Sequence, residues 1–423
     1  MSVNANIKLN TASYKVFAWF NFLVPALFFG YEYLLRVLPS ILFTTLHQHF
    51  HGSAVQMSFV LSWYYYAYAL MQIPAGLLVD RFGARFLVAT GLLLCMMGSF
   101  IFITADHIWS IGIARILMGL GGAFSFVSCV RLICVWFAPR QFAFLTGIAV
   151  MIGASGAIFA HITVAPSIRV LGIGQTFIGI FAIGVILLLI ALQFIREPEI
   201  ARPIQLPAEK RYHKAILANK ILWVLALYAF LLTAPTSSFA ALWGASFLAN
   251  TYQLNMSHSA SYIALVFIGW VIGAPLFSWL GCKQKQSYWL MGLAALFSSL
   301  MLLTILLFKL PTLLSLGVAL FGFGFFSAAV VLSYTNLRAV VTKEQVASAG
   351  GFVNLFAMLA AVFAQPLIGL LLDLFSLFHQ HAWQTLGLLN AALMILPVFQ
   401  VMAMILIFSV RPKNKQNLIS DST

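Results

Sequence analysis

Residues 76–85 read Gly76-Leu-Leu-Val-Asp80-Arg81-Phe-Gly83-Ala-Arg85. The stretch places three charges and two glycines between two long apolar runs, 57–79 and 85–105. A helix that crosses a bilayer needs about 20 apolar residues, and each flanking run has that length. The short segment therefore reads as the turn between two membrane spans. A glycine lets helices approach closely inside a membrane. Asp80, Arg81 and Arg85 make a compact charge cluster around a tight turn at Gly83, although a generic basic loop would share that pattern.

The same pattern continues outward. The chain has 423 residues, of which 62% are hydrophobic and 8% charged. A soluble domain is roughly 25% charged, and so little charge cannot coat a soluble protein of this size. That excludes a soluble enzyme, a disordered protein and a disulfide scaffold. Twelve runs qualify as spans: 16–45, 57–79, 85–105, 108–135, 142–165, 173–195, 220–250, 258–281, 288–308, 311–336, 349–375 and 384–409. A β-barrel would show alternating segments of about ten residues, whereas these are continuous and about twice as long. The longest interior polar stretch, 196–219, carries three prolines and divides the chain into six spans (1–195) and six more with a short basic tail (220–423).

Charge sets the expected orientation. There are 23 Lys and Arg against 9 Asp and Glu. Eighteen of the basic residues fall on the side of the N-terminus, two on the other side (Arg169, Lys309) and three within spans (Arg36, Arg115, Arg131). Basic loops stay cytoplasmic, so both termini are expected inside a plasma membrane, the inner membrane of a bacterium. The rule also accounts for the basic excess without nucleic acid. The N-terminus shows no cleavable signal pattern, so the first span is expected to remain as an anchor. Cys95, Cys129, Cys134 and Cys282 form no CxxC pair and read as small apolar residues, not metal ligands.

A second motif lies in span 4: Arg115-Ile-Leu-Met-Gly119-Leu-Gly121-Gly122, an intramembrane arginine followed by a stripe of small residues. With the 76–85 turn and the six-plus-six count, the chain resembles the major facilitator superfamily. That resemblance implies an all-α polytopic membrane protein of 12 transmembrane helices in two six-helix bundles. It also implies substrate near the midplane, access alternating as the halves rock, and a cavity lined by helices 1, 4, 7 and 10. Gly76, Asp80, Arg81, Gly83 and Arg85 become gating residues. Two features depart from the family. Span 5, with Gly147, Gly153 and Gly156, lacks the Gly-Pro pair of drug/proton antiporters, and Cys282 stands where an acid would match Asp80 in the second half. Three further stretches resemble a bacterial branch of nutrient or metabolite importers, distantly similar to the lysosomal dipeptide-transporter group. They are Tyr31-Glu32-Tyr33-Leu-Leu-Arg36, Ala241-Leu-Trp243-Gly244, and Gly350-Gly-Phe-Val-Asn354 running on to Gln365-Pro366 and Asp373.

Charges inside a span are costly and face a cavity or a partner. Glu32 and Arg36 are four residues apart and share a helical face. Arg115 lies about eight residues, roughly 12 Å, into its span, so all three are expected at mid-depth in one cluster. Either the pairs neutralise themselves, or the surplus arginine awaits a substrate carboxylate or phosphate. Glu32 is also the candidate proton carrier. Tyr65, in the run Trp63-Tyr64-Tyr65-Tyr66, and Tyr68 just after it read as pathway lining or as packing, and Trp243 as the facing aromatic of the second half, with Asn336, Asn354 and Gln365 as further polar candidates. Arg131 is expected to snorkel and Asp373 to act as a brace or cap. His161 is expected to be a packing residue or a proton relay, and His47, His49 and His51 a solvated loop or a pH-sensing or metal site.

The function these readings favour is a secondary transporter. Its substrate would be a small organic anion or zwitterion: an amino acid, a short peptide or a carboxylate metabolite. Proton-coupled import is expected, by a monomer with no cofactor. An exporter of the same fold and a non-transporting sensor are the alternatives. No HExxH, GxSxG or paired-carboxylate constellation supports an enzyme, and no GxxxxGK[ST] loop supports ATP-driven transport.

Overall fold

The computed structural model describes residues 11–138, 141–196, 218–281, 284–341, 346–378 and 386–409. Residues 197–217 of the segment 196–219 expected to join the halves, Cys282 and the 410–423 tail lie outside them, as does the side chain of Asp80.

The described residues form helices joined by short turns. The spans are α1 (Thr11–Phe50), α2 (Ala54–Phe82), α3 (Ala84–Ile103) and α4 (Ile108–Trp136). Next, α5 begins as Phe142–Phe159 and runs through the π-helical turn Ala160–Val164 into Ala165–Phe194. That last segment is broken at Gly172, with φ 82° and ψ 166°, so its remainder is α6. In the second half α7 comprises Lys220–Pro235, the π-helical Thr236–Trp243 and Gly244–Tyr252. It is followed by α8 (Met256–Leu280), α9 (Gln284–Leu307) and α10 (Leu313–Ser327, continued irregularly to Val340). The last two are α11 (Val346–Phe378) and α12 (Leu386–Leu393 with Ile395–Ser409).

Among the described residues, ten stretches are both long and apolar enough to cross a membrane. One of them, Phe144–Phe194, has 51 residues and makes two crossings because of the break at Gly172. The 29 residues of α2 have the length of a span, but the polar groups in its Tyr-rich centre lower its hydropathy. Twelve crossings result among the described residues, as expected. The main difference is α1, which continues past residue 45 to Phe50 and carries His47 and His49 within its last turn. Those histidines are thus helical, and the turn that follows is only 51–53.

The face where α1 starts is here the near face, and the one carrying residues 51–53 the far face. The near face also holds the Gly83 turn. Gly83 has φ 82° and ψ 157°, a conformation open to glycine at little cost, and its N–H donates to the Val79 carbonyl at 3.0 Å. Glycine also sets helix spacing. A Cβ on Gly119 would collide with the Tyr64 carbonyl of α2, and one on Gly121 with the Gly91 carbonyl of α3. The stripe in α4 thus serves two neighbours at once, as small residues do at close membrane crossings. Large apolar side chains such as Leu70, Val170, Leu314 and Leu377 cover the outside, as a lipid-facing surface requires.

At the far face the halves are locked together. Phe43 of α1 packs on Trp243 of α7 with ring centroids 4.5 Å apart, and Thr44 Oγ1 lies 3.2 Å from Ser246 Oγ. A Cβ on Gly369 of α11 would run into Ser58 and the Ala54 carbonyl of α2. Nearer the other face, a Cβ on Gly76, Gly147 or Gly351 would meet nothing within 4 Å. The close contact expected of Gly76 is therefore not made in this conformation, whereas α2 packs tightly on α11 at the far end.

Candidate functional site

The site is built around a proline. Pro39 lies inside α1 and has no N–H to give the carbonyl four residues back, that of Leu35. Arg115 of α4 supplies the missing donor: its Nη1 reaches the Leu35 carbonyl at 2.8 Å. Its Nη2 donates to the Arg36 carbonyl at 3.2 Å and its Nε to the Leu61 carbonyl of α2 at 3.1 Å. The guanidinium also lies over the Tyr64 ring, 4.6 Å from its centroid. Arg115 is 1% exposed and ties three helices together through their backbones. The sequence places it with Glu32 and Arg36 as a possible ligand contact. The structure brings it beside them but commits each of its three nitrogens to a carbonyl.

Arg36 stands differently. Its Nε and Nη2 both donate to one oxygen of Glu32, Oε1, at 2.9 and 2.6 Å. The Tyr64 hydroxyl lies 3.4 Å from Nε. Three aromatic faces surround the guanidinium: Tyr33 at 4.2 Å, Tyr68 at 4.9 Å and Tyr64 at 5.6 Å from centroid. A cation on a tyrosine face gains about 0.5–2 kcal/mol, most where water is excluded. Glu32 is fully buried and its second oxygen, Oε2, has no hydrogen-bond partner among the described residues. Its methylene packs where a side chain at Gly122 would sit: a Cβ there would be 2.5 Å from Glu32 Cγ. The third glycine of the α4 stripe is thus the recess that holds the carboxylate.

The other sequence candidates divide. Tyr68 faces Arg36, while Tyr65 packs edge-on against Tyr64 at 5.3 Å. Trp243 is not part of this cluster. It is fully buried on Phe43 at the far face, and its Nε1 has no hydrogen-bond partner among the described residues. Asn336 bonds Ser287 at 2.8 Å and Gln365 the Ser237 carbonyl at 2.8 Å, both within the second half. Asn354 bridges the halves, donating to Gln72 Oε1 of α2 at 3.0 Å and accepting from the Tyr334 hydroxyl at 3.3 Å. Of the turn residues, Arg81 is exposed over the Phe82 ring and Arg85 donates to the Leu192 carbonyl of α6. Arg131 is half-buried. His161 is fully buried between Ser40 and the Ala157 carbonyl. Asp373 is a cap: its two oxygens accept from the Ala54 and Val55 amides, 3.0 and 2.9 Å away, at the start of α2. No cluster of three metal-ligating side chains occurs among the described residues.

Two polar residues escaped the sequence reading, Tyr33 beside Arg36 and Gln72 at the bridge between the halves. Tyr33 precedes Arg36 by three positions and so shares its face, a spacing that could have marked it. Gln72 gave no signal, since its partner Asn354 is 282 positions away.

Residues 26–337 match the sequence profile of the Major Facilitator Superfamily. The chain belongs to the major facilitator superfamily. As a superfamily member it is a multi-pass membrane transporter and not an enzyme. Among its relatives, an uncharacterized transporter of Bacillus subtilis is 25% identical over 59% of this chain and 61% of its own length. The chain thus spans less than two thirds of that relative. The hexuronate transporter of the same organism is 26% identical over 81% of this chain and 85% of its own. The fold is that of a bacterial homologue of the human lysosomal transporter Spinster, solved inward-facing and unoccupied. The two superpose with a TM-score of 0.77 at 17% identity, covering 93% of this chain and 97% of the other.

Proposed function

We propose that this superfamily transporter carries a small organic carboxylate of the sugar-acid type, and that Arg36 receives the carboxylate. One observation carries the reading: Glu32, Arg36 and Arg115 bury one negative and two positive charges side by side, leaving a net charge of +1 within this cluster. Backbone carbonyls satisfy the hydrogen bonds of Arg115 without cancelling its charge. A buried excess cation favours an anionic ligand, because desolvated charge is costly unless paired. The hydroxyls of Tyr33, Tyr64 and Tyr68 and the Gln72–Asn354–Tyr334 chain are suited to a polyhydroxylated molecule, in keeping with the hexuronate relative.

The packed far face supports a conformation closed there and open toward the near face, which by the basic loops is the cytoplasmic side of a bacterial inner membrane. Import would then proceed by rocking of 1–195 against 220–423, with the Asp80 turn gating the near side. The test is uptake of radiolabelled D-glucuronate by the purified chain in liposomes, with and without an inward proton gradient. Uptake by the wild type that falls at least tenfold in Arg36→Gln supports the reading. Equal uptake by both, or binding only of cationic and neutral sugars, overturns it. Flux measured in inverted vesicles separates import from export.

A further inference from the structure

His161 lies in the widened turn Ala160–Val164, where the Ala165 amide bonds the carbonyl five residues back, Ala160. Such turns reposition side chains and gather at functional sites. Its imidazole is fully buried where α1, α5 and α8 meet. Nδ1 is 2.8 Å from the Ala157 carbonyl, Nε2 is 2.9 Å from Ser40 Oγ, and the ring lies 5.4 Å from that of Phe267 on α8. Ser40 in turn lies 2.9 Å from the Val37 carbonyl.

A carbonyl only accepts, so Nδ1 carries a proton in every case. In the neutral ring the Ser40 hydroxyl donates to Nε2. In the imidazolium Nε2–H donates to Ser40 Oγ, and the hydroxyl hydrogen turns to the Val37 carbonyl. Both states are fully hydrogen-bonded with every heavy atom in place, and one hydroxyl rotation separates them. A histidine held only for packing needs one of these states; this site accommodates two.

From the geometry we infer that His161 and Ser40 form a proton-binding site of the transport cycle, separate from the Glu32–Arg36 pair. The proton binds Nε2, and the Ser40 hydroxyl hydrogen moves from Nε2 to the Val37 carbonyl; nothing else is consumed or released. The groups facing the ring are few. On its own run of helix Arg169 is exposed at the far side. On α8 His258 is exposed and Tyr262 half-buried, both in the first turns of that helix. On α1 the nearest charged residues are Arg36, one turn before Ser40, and Glu32 beyond it, and the titratable His47 and His49 follow about two turns after Ser40. Because Phe267 of the second half covers the ring, opening the far face uncovers His161 to the outer solution, and closing it carries the proton inward. This role in coupling rests on the transport reading above; the two-state proton site does not.

The test has two arms, both on the full chain in lipid. In the first, protein labelled with 15N-histidine is titrated from pH 8 to pH 4 by solid-state NMR. The His161 resonance is identified among the nine histidines by its loss in His161→Gln. The expected result is passage from the Nδ1–H neutral ring to the doubly protonated ring in the wild type, and a ring that stays neutral throughout in Ser40→Ala. A wild-type ring that stays neutral, or a Ser40→Ala ring that titrates as the wild type does, overturns the site. In the second arm, D-glucuronate is the probe in proteoliposomes. His161→Gln is expected to keep equilibrium exchange within about twofold and to lose at least tenfold in pH-gradient-driven accumulation. Wild-type accumulation in His161→Gln overturns the coupling role while leaving Arg36 as the anion site. Titration that depends on Ser40 in a chain that moves no glucuronate supports the proton site and overturns the sugar-acid reading instead.

Discussion

Arg115 donates to the one carbonyl of α1 that Pro39 deprives of a helical partner, that of Leu35. An arginine that the sequence presents as a surplus charge is thereby a brace between α1, α2 and α4.

The brace predicts a coupling between two distant positions. Arg115→Gln leaves the Leu35 carbonyl buried without its donor, a loss of about 1–3 kcal/mol. Pro39→Ala restores the helical N–H. Thermal unfolding of the two single variants and the double variant should therefore show non-additivity of about 1 kcal/mol, with the double variant less destabilised than the sum. Strict additivity would mean the carbonyl had another partner.

Gly122→Ala should separate packing from chemistry in the site. Its methyl would overlap Glu32 Cγ and must push the carboxylate off Arg36. Uptake normalised to expression is expected to fall about tenfold, while Gly76→Ala, which meets no neighbour in this conformation, leaves thermal stability within about 0.5 kcal/mol. If Gly122→Ala transports normally, Glu32 does not need its present position.

Arg36→Lys is not a conservative change here. Lysine keeps the charge but lacks the flat group that sits between Tyr33 and Tyr68 while two nitrogens share Glu32 Oε1. Apparent affinity for D-glucuronate should weaken at least tenfold, read as a rise in the half-saturating concentration. Unchanged affinity would assign Arg36 a purely electrostatic role.

Asp373→Asn probes the far latch. Both carboxylate oxygens accept from the amides that open α2, where the helix dipole favours negative charge. Asparagine has one acceptor oxygen and turns an NH2 toward the second amide. The far face should open more often, so a cysteine placed at Ser246, in a background lacking native cysteines, should react several times faster with a membrane-impermeant maleimide. An unchanged rate would show that Phe43 and Trp243 hold the face alone.

Much of this was legible in advance. Span number, the 76–85 turn and the depth of Glu32, Arg36 and Arg115 follow from apolar run length and helix rise, which are local quantities. The Glu32–Arg36 pair was legible because it is an i, i+4 pair on one helix. Trp243 was assigned to the same cavity because its helix belongs there by family, but the π-helical stretch after Pro235 ends with it at the far face, against Phe43. The acceptors of Arg115 could not be read at all, since a carbonyl orphaned by a proline looks like any other residue in the sequence.

The amino-acid sequence by itself determined that this chain crosses a membrane twelve times and buries more positive than negative charge, because water and lipid sort residues by polarity one span at a time. Only the tertiary structure decided which arginine pairs with Glu32 and which holds the helices through their carbonyls, that Gly122 makes room for Glu32, and that Ser40 completes the surroundings of His161. Those outcomes depend on contacts between helices far apart in the chain, where a few tenths of an ångström settle whether a donor meets an acceptor.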